Sequence, residues 1–317
     1  MVAVLTYRRP DDLVAVLPLL ERQVAGLGSG GQMLVVDNDP DGGARVVVET
    51  HPSGAAVRYV HEPHPGIAAA RNRALAVAEA EQVDLLVFID DDERPVEDWL
   101  RLLIETYDRD RPAAVVGPVV SEFAVQPEAW ITAGRFFDRR RLPTGTEVTI
   151  AATNNLLLDL AQVRALGLTF DERFGISGGS DMLMTRRLTA AGGRMVWCDE
   201  AIVIDVVPAD RSSRTWVLRR AYRSGNTWAR TSIVLADGRL GRLLTRGRLC
   251  AQGGVRVAAG AVRLVVGAMV ASQAHRARGR RTVARGAGML SGAFGLVYVE
   301  YGRDGRAVVR ERRLTVA

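Results

Sequence analysis

Short apolar runs alternate with longer amphipathic stretches along the N-terminal two thirds of the chain. Apolar residues that recur at helical spacing predict helices, and consecutive Val, Leu and Ile residues predict buried strands. The predicted strands are residues 2–5, 33–36, 56–60, 85–89 and 113–116, and the predicted helices are residues 11–23, 66–81, 99–109 and 181–191. This alternation is typical of an α/β fold with a mixed, mostly parallel sheet flanked by helices.

Polar side chains follow three of these strands directly. Thr6 and Tyr7 follow the first strand, residues 37–39 the second and residues 90–93 the fourth. Open parallel sheets bind their ligands beside the carboxyl ends of the strands. We therefore expect these residues to contribute to one site.

The strongest candidate within that site is the run of four carboxylates at Asp90, Asp91, Asp92 and Glu93. Like charges this close repel one another unless a cation neutralises them. Carboxylate oxygens suit Mg²⁺ or Mn²⁺ that carries phosphate groups. The run predicts a divalent metal site, and a solvated acidic turn is the alternative.

Two other segments could bind parts of a nucleotide. Asp37 or Asp39 could accept hydrogen bonds from a base or ribose, although the same residues would also make an ordinary turn. Arg71 lies near the start of the helix predicted from Gly66, where amide and guanidinium groups could face a diphosphate. The alternative for this segment is a packed, alanine-rich helix with surface arginines.

A glycine-rich segment, residues 175–180, precedes a single carboxylate, Asp181, at the start of the last predicted helix. This carboxylate could act as a general base, or it could cap the helix. The sequence contains no Gly-x-Ser-x-Gly elbow, no histidine pair at metal-ligand spacing and no Walker-type phosphate loop. We therefore expect neither a nucleophilic triad nor a nucleotide-hydrolysing motor.

Charge is divided unevenly along the chain, whose net charge is +6. Residues 1–210 contain 20 arginines and 32 acidic side chains, whereas residues 211–317 contain 22 arginines and 4 acidic side chains. Every fixed positive side chain is an arginine, which suits phosphate recognition. We predict a nucleotide-binding and catalytic domain over residues 1–210 and a basic helical region over residues 211–317.

The basic region mixes arginines with small apolar residues. Its most apolar segments, residues 255–271 and 286–299, are shorter than the about 20 residues that cross a bilayer. With the arginines of residues 276–285 they could lie in the plane of an anionic membrane surface, and the alternative is a helical subdomain packed on the body. Because residues 2–5 follow Met1 without a basic segment, we expect no signal peptide and a cytoplasmic location, peripheral on the inner face of the membrane.

Taken in order, these segments resemble family 2 glycosyltransferases of the GT-A fold over about residues 1–230. The motifs are Thr-Tyr followed by Arg9, a Val-Val-Asp strand end at Asp37, Gly-Ile-Ala-x-Ala-Arg-Asn from Gly66, Asp-x-Asp from Asp90 and an acidic loop that ends at Asp181. Residues 88–95, 115–119, 153–155 and 178–181 resemble the bacterial exopolysaccharide branch of the family, of the succinoglycan type.

The resemblance implies a role for each of these residues. Asp90 and Asp92 would hold the divalent metal, Mn²⁺ or Mg²⁺, and Asp181 would deprotonate the acceptor. Family members usually have a glutamate before this base, where the chain has Ser180. The donor-binding residues implied are Thr6, Tyr7, Arg9, Asp37, Asp39, Arg71, Asp90, Asp91, Arg220 and Arg223.

The predicted function is therefore inverting transfer of a sugar from a nucleoside diphosphate sugar to a saccharide or lipid-linked acceptor, in polysaccharide or glycolipid synthesis. One alternative is a non-catalytic basic scaffold that binds membrane or nucleic acid, and the absence of a recognised nucleic-acid motif argues against a nucleic-acid partner. The other is a sugar nucleotidyltransferase, which would have a glycine-rich loop that residues 2–12 lack.

Overall fold

The computed structural model describes residues 1–52, 57–299 and 308–310, without the side chains of Ser29 and of residues 308–310. Strands and helices are numbered separately in chain order. The strands are β1 (Val2–Thr6), β2 (Met33–Asp37), β3 (Val57–His61), β4 (Leu85–Asp90), β5 (Glu93–Pro95), β6 (Ala114–Val116), β7 (Val119–Phe123), β8 (Asn155–Asp159), β9 (Met195–Trp197), β10 (Val203–Val207), β11 (Leu296–Tyr298) and β12 (Val308–Arg310). The helices are α1 (Pro10–Ala25), α2 (Arg45–Glu49), α3 (Ile67–Ala80), α4 (Trp99–Asp110), α5 (Ala129–Gly134), α6 (Leu160–Ala165), α7 (Ser180–Ala190), α8 (Arg214–Val234), α9 (Gly238–Met269) and α10 (Gln273–Ala293).

The five strands and four helices predicted from the sequence are all present, and their ends lie within two residues of the predicted ones. Residue 56, the first of one predicted strand, lies outside the described residues. The sequence analysis missed β8, β9 and β10. These strands are three to five residues long, and their length does not distinguish them from β1 and β6, which were predicted.

Seven strands form the main sheet, in the order β3-β2-β1-β4-β8-β6-β9. β1 pairs in parallel with β2 and with β4, and β2 pairs in parallel with β3. β8 is antiparallel to both of its neighbours, β4 and β6. The structure therefore confirms the predicted mixed, mostly parallel sheet.

A separate hydrophobic core covers each face of this sheet, because alternate residues of a strand point to opposite faces. Ala3 and Leu5 of β1 belong to one core with residues of α3 and α7, including Ala70 and Met184. Val2 and Val4 belong to the other core with residues of α1 and α4. Covered on both faces, the strands are continuous apolar runs, which is why the sequence revealed most of them.

The chain divides into two compact units. The first comprises Met1–Glu122, Arg139–Ile176 and Ser180–Val206, and the second comprises Phe123–Asp138, Ser177–Gly179 and Val207–Ala317. The second unit thus includes residues 123–138 and 177–179, which the sequence analysis did not associate with the C-terminal region. The assignment of residues 1–210 and 211–317 to separate domains stays a prediction.

The second unit is mainly helical, and glycines let its three long helices approach closely. A Cβ atom on Gly225 of α8 would lie 2.0 Å from the carbonyl oxygen of Arg285, and one on Gly260 of α9 would lie 2.8 Å from the backbone nitrogen of Val283. α9 has 32 residues, so the apolar segment that the sequence analysis treated as too short belongs to a longer helix. Among the described residues, α9 alone is long and apolar enough to cross a membrane.

Candidate active site

The carboxyl ends of β2, β1 and β4 lie side by side in the first unit. The strand register pairs Thr6 with Asp37 and Leu5 with Asp90. Because these strands are parallel, the residues that follow them emerge at the same edge of the sheet. The structure therefore brings together the three polar strand ends that the sequence analysis assigned to one site.

The four carboxylates after β4 alternate between accessible and buried positions. Asp90 and Asp92 are partly exposed, whereas Asp91 and Glu93 are only 3% and 1% exposed. Asp91 and Asp92 form the turn between β4 and β5, so the alternation is set by this turn and not by an extended strand. Two carboxylates of the run are therefore available to a ligand, and they are the two that the sequence analysis assigned to a metal.

Asp91 contacts the protein interior. One of its oxygens accepts a hydrogen bond from the Thr6 hydroxyl at 2.8 Å, and the other accepts one from Nη1 of Arg9 at 2.9 Å. The same Nη1 donates to Asp92 at 2.8 Å. Thr6 and Asp91 are both buried, and their contacts hold the loop after β4 against β1. Their assignment to the donor-binding residues stays a prediction. Arg9 is the member of this set that reaches an accessible carboxylate.

Burial is the largest cause of the pKa shifts of three carboxyl groups in this loop. Burial, and then the charge of Asp92, raise the pKa of Asp90 to about 7, while Arg71 opposes the shift. Burial raises the pKa of Asp91 to about 6 against the opposing charge of Arg9. Burial also raises the pKa of Glu93 well above its usual range. The loop is therefore short of positive charge, which is the electrostatic condition that favours cation binding.

Asp37 and Asp39 shape the loop after β2. The Asp37 carboxylate is fully buried and accepts hydrogen bonds from the backbone nitrogens of Asp39 and Ala44 and from the Tyr59 hydroxyl. Burial and the bond to Asp37 raise the pKa of Tyr59 to about 12. Asp37 has no exposed surface and supports the backbone of Asp39, and its assignment to the donor-binding residues stays a prediction. Asp39 accepts from Nε of Arg8 at 3.1 Å.

Arg71 links the start of α3 to the start of α7. Its Nη1 donates to the hydroxyl of Ser180 at 2.8 Å, and its guanidinium carbon lies 5.5 Å from the centroid of the Phe170 ring. Its charge acts on Asp90, so Arg71 lies between the carboxylates of β4 and the first turn of α7. Arg71 is itself buried, whereas the alternative of a packed helix would place its arginines on the surface.

The helix that places Arg71 begins with a conformation that requires glycine. Gly66 has a φ of 119°, and its backbone nitrogen donates to the side-chain oxygen of Asn38 at 3.1 Å. A Cβ atom there would lie 3.0 Å from the carbonyl carbon of Gly175. The Gly-Ile-Ala start thus lets the chain turn closely between two neighbouring segments.

Asp181 lies in the first turn of α7 and is partly exposed. The helix begins at Ser180, so Asp181 is not the capping residue, which was the alternative in the sequence analysis. One carboxylate oxygen accepts from the backbone nitrogen of Met182 at 2.8 Å. Gly178 and Gly179 precede it with φ values of 74° and 98°. An accessible carboxylate thus follows a turn that only glycines adopt without strain.

The remaining candidates are less closely tied to these carboxylates. Tyr7 is exposed, with the Arg8 guanidinium 5.4 Å from its ring centroid. Arg220 and Arg223 lie on α8 in the second unit. The Arg220 guanidinium lies 5.3 Å from the Trp216 ring centroid and 5.6 Å from that of Phe137. The donor-binding role of these three residues stays a prediction.

Two further residues hold the acidic loop, and the sequence analysis did not identify either. Asn154 donates from its amide nitrogen to Glu93 at 2.6 Å. Arg94 donates to the carbonyl oxygens of Asp91 and Glu93 at 3.0 and 2.9 Å. Both contacts join residues that are distant in sequence or involve the backbone, so no local pattern marks them.

The donor set fits a divalent cation that also carries phosphate. The described residues contain no group of three or more His, Cys, Asp and Glu side chains arranged to hold a metal ion. Asp90 and Asp92 supply two accessible carboxylates. Mg²⁺ is usually bound through one or two carboxylates, with substrate phosphates and water completing the octahedron. A pair of carboxylates is therefore sufficient for this kind of metal.

Comparison with known sequences gives a consistent family. Residues 1–161 match the profile of Glycosyl transferase family 2. The chain is 33% identical over 285 residues to the succinoglycan biosynthesis protein ExoM of Rhizobium meliloti (strain 1021), an alignment that covers 86% of this chain and 91% of that protein. It is 28% identical over 231 residues to a pre-mycofactocin glycosyltransferase of Mycobacterium tuberculosis (strain CDC 1551 / Oshkosh), covering 68% of this chain and 46% of that protein.

A solved structure shares the fold. The crystal structure of GalNAc-T7 with UDP, GalNAc and Mn²⁺ superposes with a TM-score of 0.52 at 12% sequence identity, covering 78% of this chain and 53% of that one. At this identity the likeness concerns the fold alone. The chain belongs to glycosyl transferase family 2 and is a glycosyltransferase of the GT-A fold.

Proposed function

We propose that the chain transfers a sugar from a nucleoside diphosphate sugar to an acceptor hydroxyl, with inversion at the anomeric carbon. The observation that supports this most directly is that the carboxylates of Asp90 and Asp92, at the end of β4 and in the turn after it, are both partly exposed. The charge of the buried Arg71 guanidinium acts on Asp90. Two accessible carboxylates and a guanidinium are the groups that a metal-bound diphosphate requires. Because the chain belongs to a transferase family, this proposal replaces the alternative of a non-catalytic scaffold.

Asp90 and Asp92 would hold Mn²⁺ or Mg²⁺ together with the diphosphate oxygens of the donor. The bound ion supplies positive charge that stabilises the diphosphate as it leaves. Arg9 bonds to Asp92 in the ligand-free protein, so donor binding would require Arg9 to share or release that oxygen. Arg9 would then be free to face the phosphates, which agrees with its place among the donor-binding residues.

Asp181 would act as the general base. The acceptor oxygen forms a bond to the anomeric carbon while the bond between that carbon and the diphosphate oxygen breaks. The acceptor proton passes to the Asp181 carboxylate, and the nucleoside diphosphate leaves with the electron pair of the broken bond. A single displacement of this kind inverts the anomeric configuration. The partial exposure of Asp181 and the Arg71 link between α3 and α7 support this role.

The donor nucleoside would lie against the loop after β2. Asp39, held by Asp37 and Arg8, would accept hydrogen bonds from the base or ribose; its side chain is buried. Tyr7 is exposed and precedes Arg8 in the sequence. Arg220 and Arg223 are proposed as further phosphate contacts because of their charge and their place in the family motif. These assignments rest on the resemblance.

The setting we propose is exopolysaccharide synthesis on a saccharide or lipid-linked acceptor. The relative that aligns over most of both chains is named for succinoglycan biosynthesis. Such an enzyme would act in the cytoplasm, where nucleotide sugars are made, with a peripheral contact on the inner face of the membrane. No nucleic acid is expected as a partner.

Calorimetric titration of the purified protein with a panel of nucleoside diphosphates, with and without Mn²⁺, tests the proposal. We expect one nucleoside diphosphate to bind, and only when the metal is present. Reaction of a nucleoside triphosphate with a sugar phosphate, with release of pyrophosphate from the triphosphate, would instead support a nucleotidyltransferase. Binding that is equally tight without the metal would remove the role of Asp90 and Asp92.

A further inference from the structure

The second half of α9 exposes a continuous apolar surface. Between residues 251 and 270 every exposed side chain is Val or Met, or the small residues Ala and Gly. The largest of these side chains are 60% to 80% exposed at Val255, Val262, Val265 and Met269. We refer to the surface formed by Val255, Ala258, Val262, Val265, Val266 and Met269 as the α9 apolar face.

This surface covers roughly half of the helix circumference, since successive residues are about 100° apart around an α-helix. Val255, Val262 and Met269 are seven residues apart, and Ala258 and Val265 lie between them at helical spacing. A soluble helix usually presents charged or polar residues on the side that faces water. The α9 apolar face therefore lacks the partner that its composition requires.

The opposite side of α9 is fully engaged within the second unit. A Cβ atom on Gly253 would lie 3.0 Å from the carbonyl oxygen of Gly286, and one on Gly267 would lie 2.8 Å from the backbone nitrogen of Arg276. With Gly260 midway between them, these close approaches to α10 recur every seven residues along α9. They fix the rotation of the helix about its axis. The α9 apolar face consequently cannot turn inward.

Arginines border the surface, and within α9 and α10 no carboxylate does. By helical spacing, Arg256 and Arg263 lie on one edge of the α9 apolar face, and Arg248 precedes it on the same side of the helix. The Nε atom of Arg263 is buried without a hydrogen-bond partner in the described part of the chain. Neither α9 nor α10 contains an aspartate or glutamate. The border thus offers unopposed positive charge to an anionic ligand.

We propose that the α9 apolar face inserts into one leaflet of an anionic phospholipid bilayer, with α9 parallel to the membrane plane. Valine and methionine side chains would enter the boundary of the acyl chains while Arg248, Arg256 and Arg263 reach the headgroup phosphates. An apolar face with an arginine border matches the chemistry of such a surface on both counts, since apolar burial and electrostatic attraction act together.

Two other occupants fit the surface less well. A crossing orientation would satisfy the length and mean hydropathy of α9, but it would draw the packed arginines of α10 into the hydrocarbon, where charge is costly. A second copy of the chain, related by a two-fold axis, would place the same bordering arginines of the two copies near one another, and like charges at an interface are unfavourable.

Co-sedimentation of the full chain with vesicles tests the proposal. We expect binding to vesicles that contain phosphatidylglycerol, little binding to phosphatidylcholine alone, and weakening by added salt. The substitutions Val262→Glu and Met269→Glu place a charge on exposed positions and should weaken vesicle binding about tenfold or more. Val14→Glu is the matched control, because Val14 is a valine on α1 that is 56% exposed, and it should bind vesicles as the parent does.

Circular dichroism and the melting temperature of each variant establish that the fold is retained, which the exposure of these positions favours. Equal vesicle binding by Val262→Glu and Val14→Glu would overturn the proposal. So would protein that stays in the vesicle fraction after alkaline carbonate extraction, which indicates a crossing helix. A dimer in light scattering that Val262→Glu dissociates, without any vesicle binding by the parent, would assign the surface to a second copy. None of these outcomes depends on transferase activity.

Discussion

Nη1 of Arg71 lies 2.8 Å from the hydroxyl oxygen of Ser180, and both side chains are buried. This hydrogen bond joins the helix that follows Gly66 to the helix that carries Asp181. Since Arg71 also acts on the charge of Asp90, one guanidinium couples the proposed metal-binding carboxylates to the helix of the proposed base. Because the guanidinium is charged, its bond to the neutral hydroxyl of Ser180 is a charge-assisted hydrogen bond.

Replacing Ser180 with alanine should impair catalysis more than donor binding. Ser180→Ala leaves the buried guanidinium of Arg71 with one acceptor fewer, which costs about 1–3 kcal/mol of folding free energy. A shifted Arg71 would misplace α7, so we expect kcat to fall about tenfold while KM for the donor changes little. Steady-state kinetics and thermal unfolding measure the two effects.

The matched control for this substitution is Ser121→Ala. The Ser121 hydroxyl donates only a long bond of 3.4 Å to Asp205, so its removal should leave both kcat and the melting temperature nearly unchanged. If Ser180→Ala behaved in the same way as Ser121→Ala, the Arg71 link would have no part in positioning α7.

Asp92→Asn should abolish transfer while the fold is retained. The amide has nearly the same size as the carboxylate but lacks the charge, so the proposed metal site loses one of its two accessible anionic ligands. We expect metal-dependent nucleotide binding to weaken about 100-fold or more, corresponding to several kcal/mol of electrostatic stabilisation. Calorimetry in the presence of Mn²⁺ measures the change.

Asp98→Asn controls for the loss of an aspartate charge. Asp98 is exposed and pairs with Arg101 at 3.1 Å, and exposed pairs of this kind contribute little to stability. Its nucleotide binding should equal that of the parent. Turnover near the normal rate in Asp92→Asn would place the metal elsewhere.

Asp181→Asn should separate donor binding from transfer. The side-chain amide oxygen of the variant can still accept the hydrogen bond from the backbone nitrogen of Met182. We therefore expect the structure of α7 and the affinity for the nucleotide to be unchanged. Loss of the base should lower kcat by roughly 10²- to 10⁴-fold. Asp210→Asn, at an exposed position, provides the comparison, and a rate for Asp181→Asn equal to that of Asp210→Asn would assign proton removal to another group.

Local pattern was sufficient to predict most of the first unit. The strands of the main sheet are covered on both faces, so their apolar runs are continuous, and the polar residues that follow them mark the ligand edge. The alternation of Asp90 to Glu93 could not be predicted in this way, because Asp91 and Asp92 lie in a turn. What the pattern could not reveal is which carboxylates have internal partners.

Asp91 and Asp37 illustrate that limit. Each is an acidic residue at a strand end, but Asp91 is satisfied by Thr6 and Arg9 and Asp37 by the loop after it. These partners come from other strands or from backbone nitrogens, so only the folded chain identifies them. For the same reason the sequence analysis underestimated α9, whose 32 residues include arginines that end the apolar runs without ending the helix.

Stability should depend on pH through the carboxylates after β4. In the metal-free protein the pKa of Asp90 is raised from 3.8 to about 7 and that of Asp91 to about 6. The folded chain therefore binds protons that the unfolded chain has released between about pH 4 and 7. The free energy of unfolding should consequently fall as the pH rises through that window, by roughly a few kcal/mol, and level off above the pKa of Asp90.

Divalent cations should reverse this trend, because they bind the ionised form of Asp90. We expect Mn²⁺ to raise the melting temperature little near about pH 5 and clearly near about pH 8, where proton competition has ended. Thermal unfolding with and without the metal across this range measures the effect. Asp90→Asn, which cannot ionise, should show a weaker decline with pH and a much smaller response to Mn²⁺. An equal response to Mn²⁺ at both pH values in the parent protein would show that the cation binds a site other than the carboxylates of this loop.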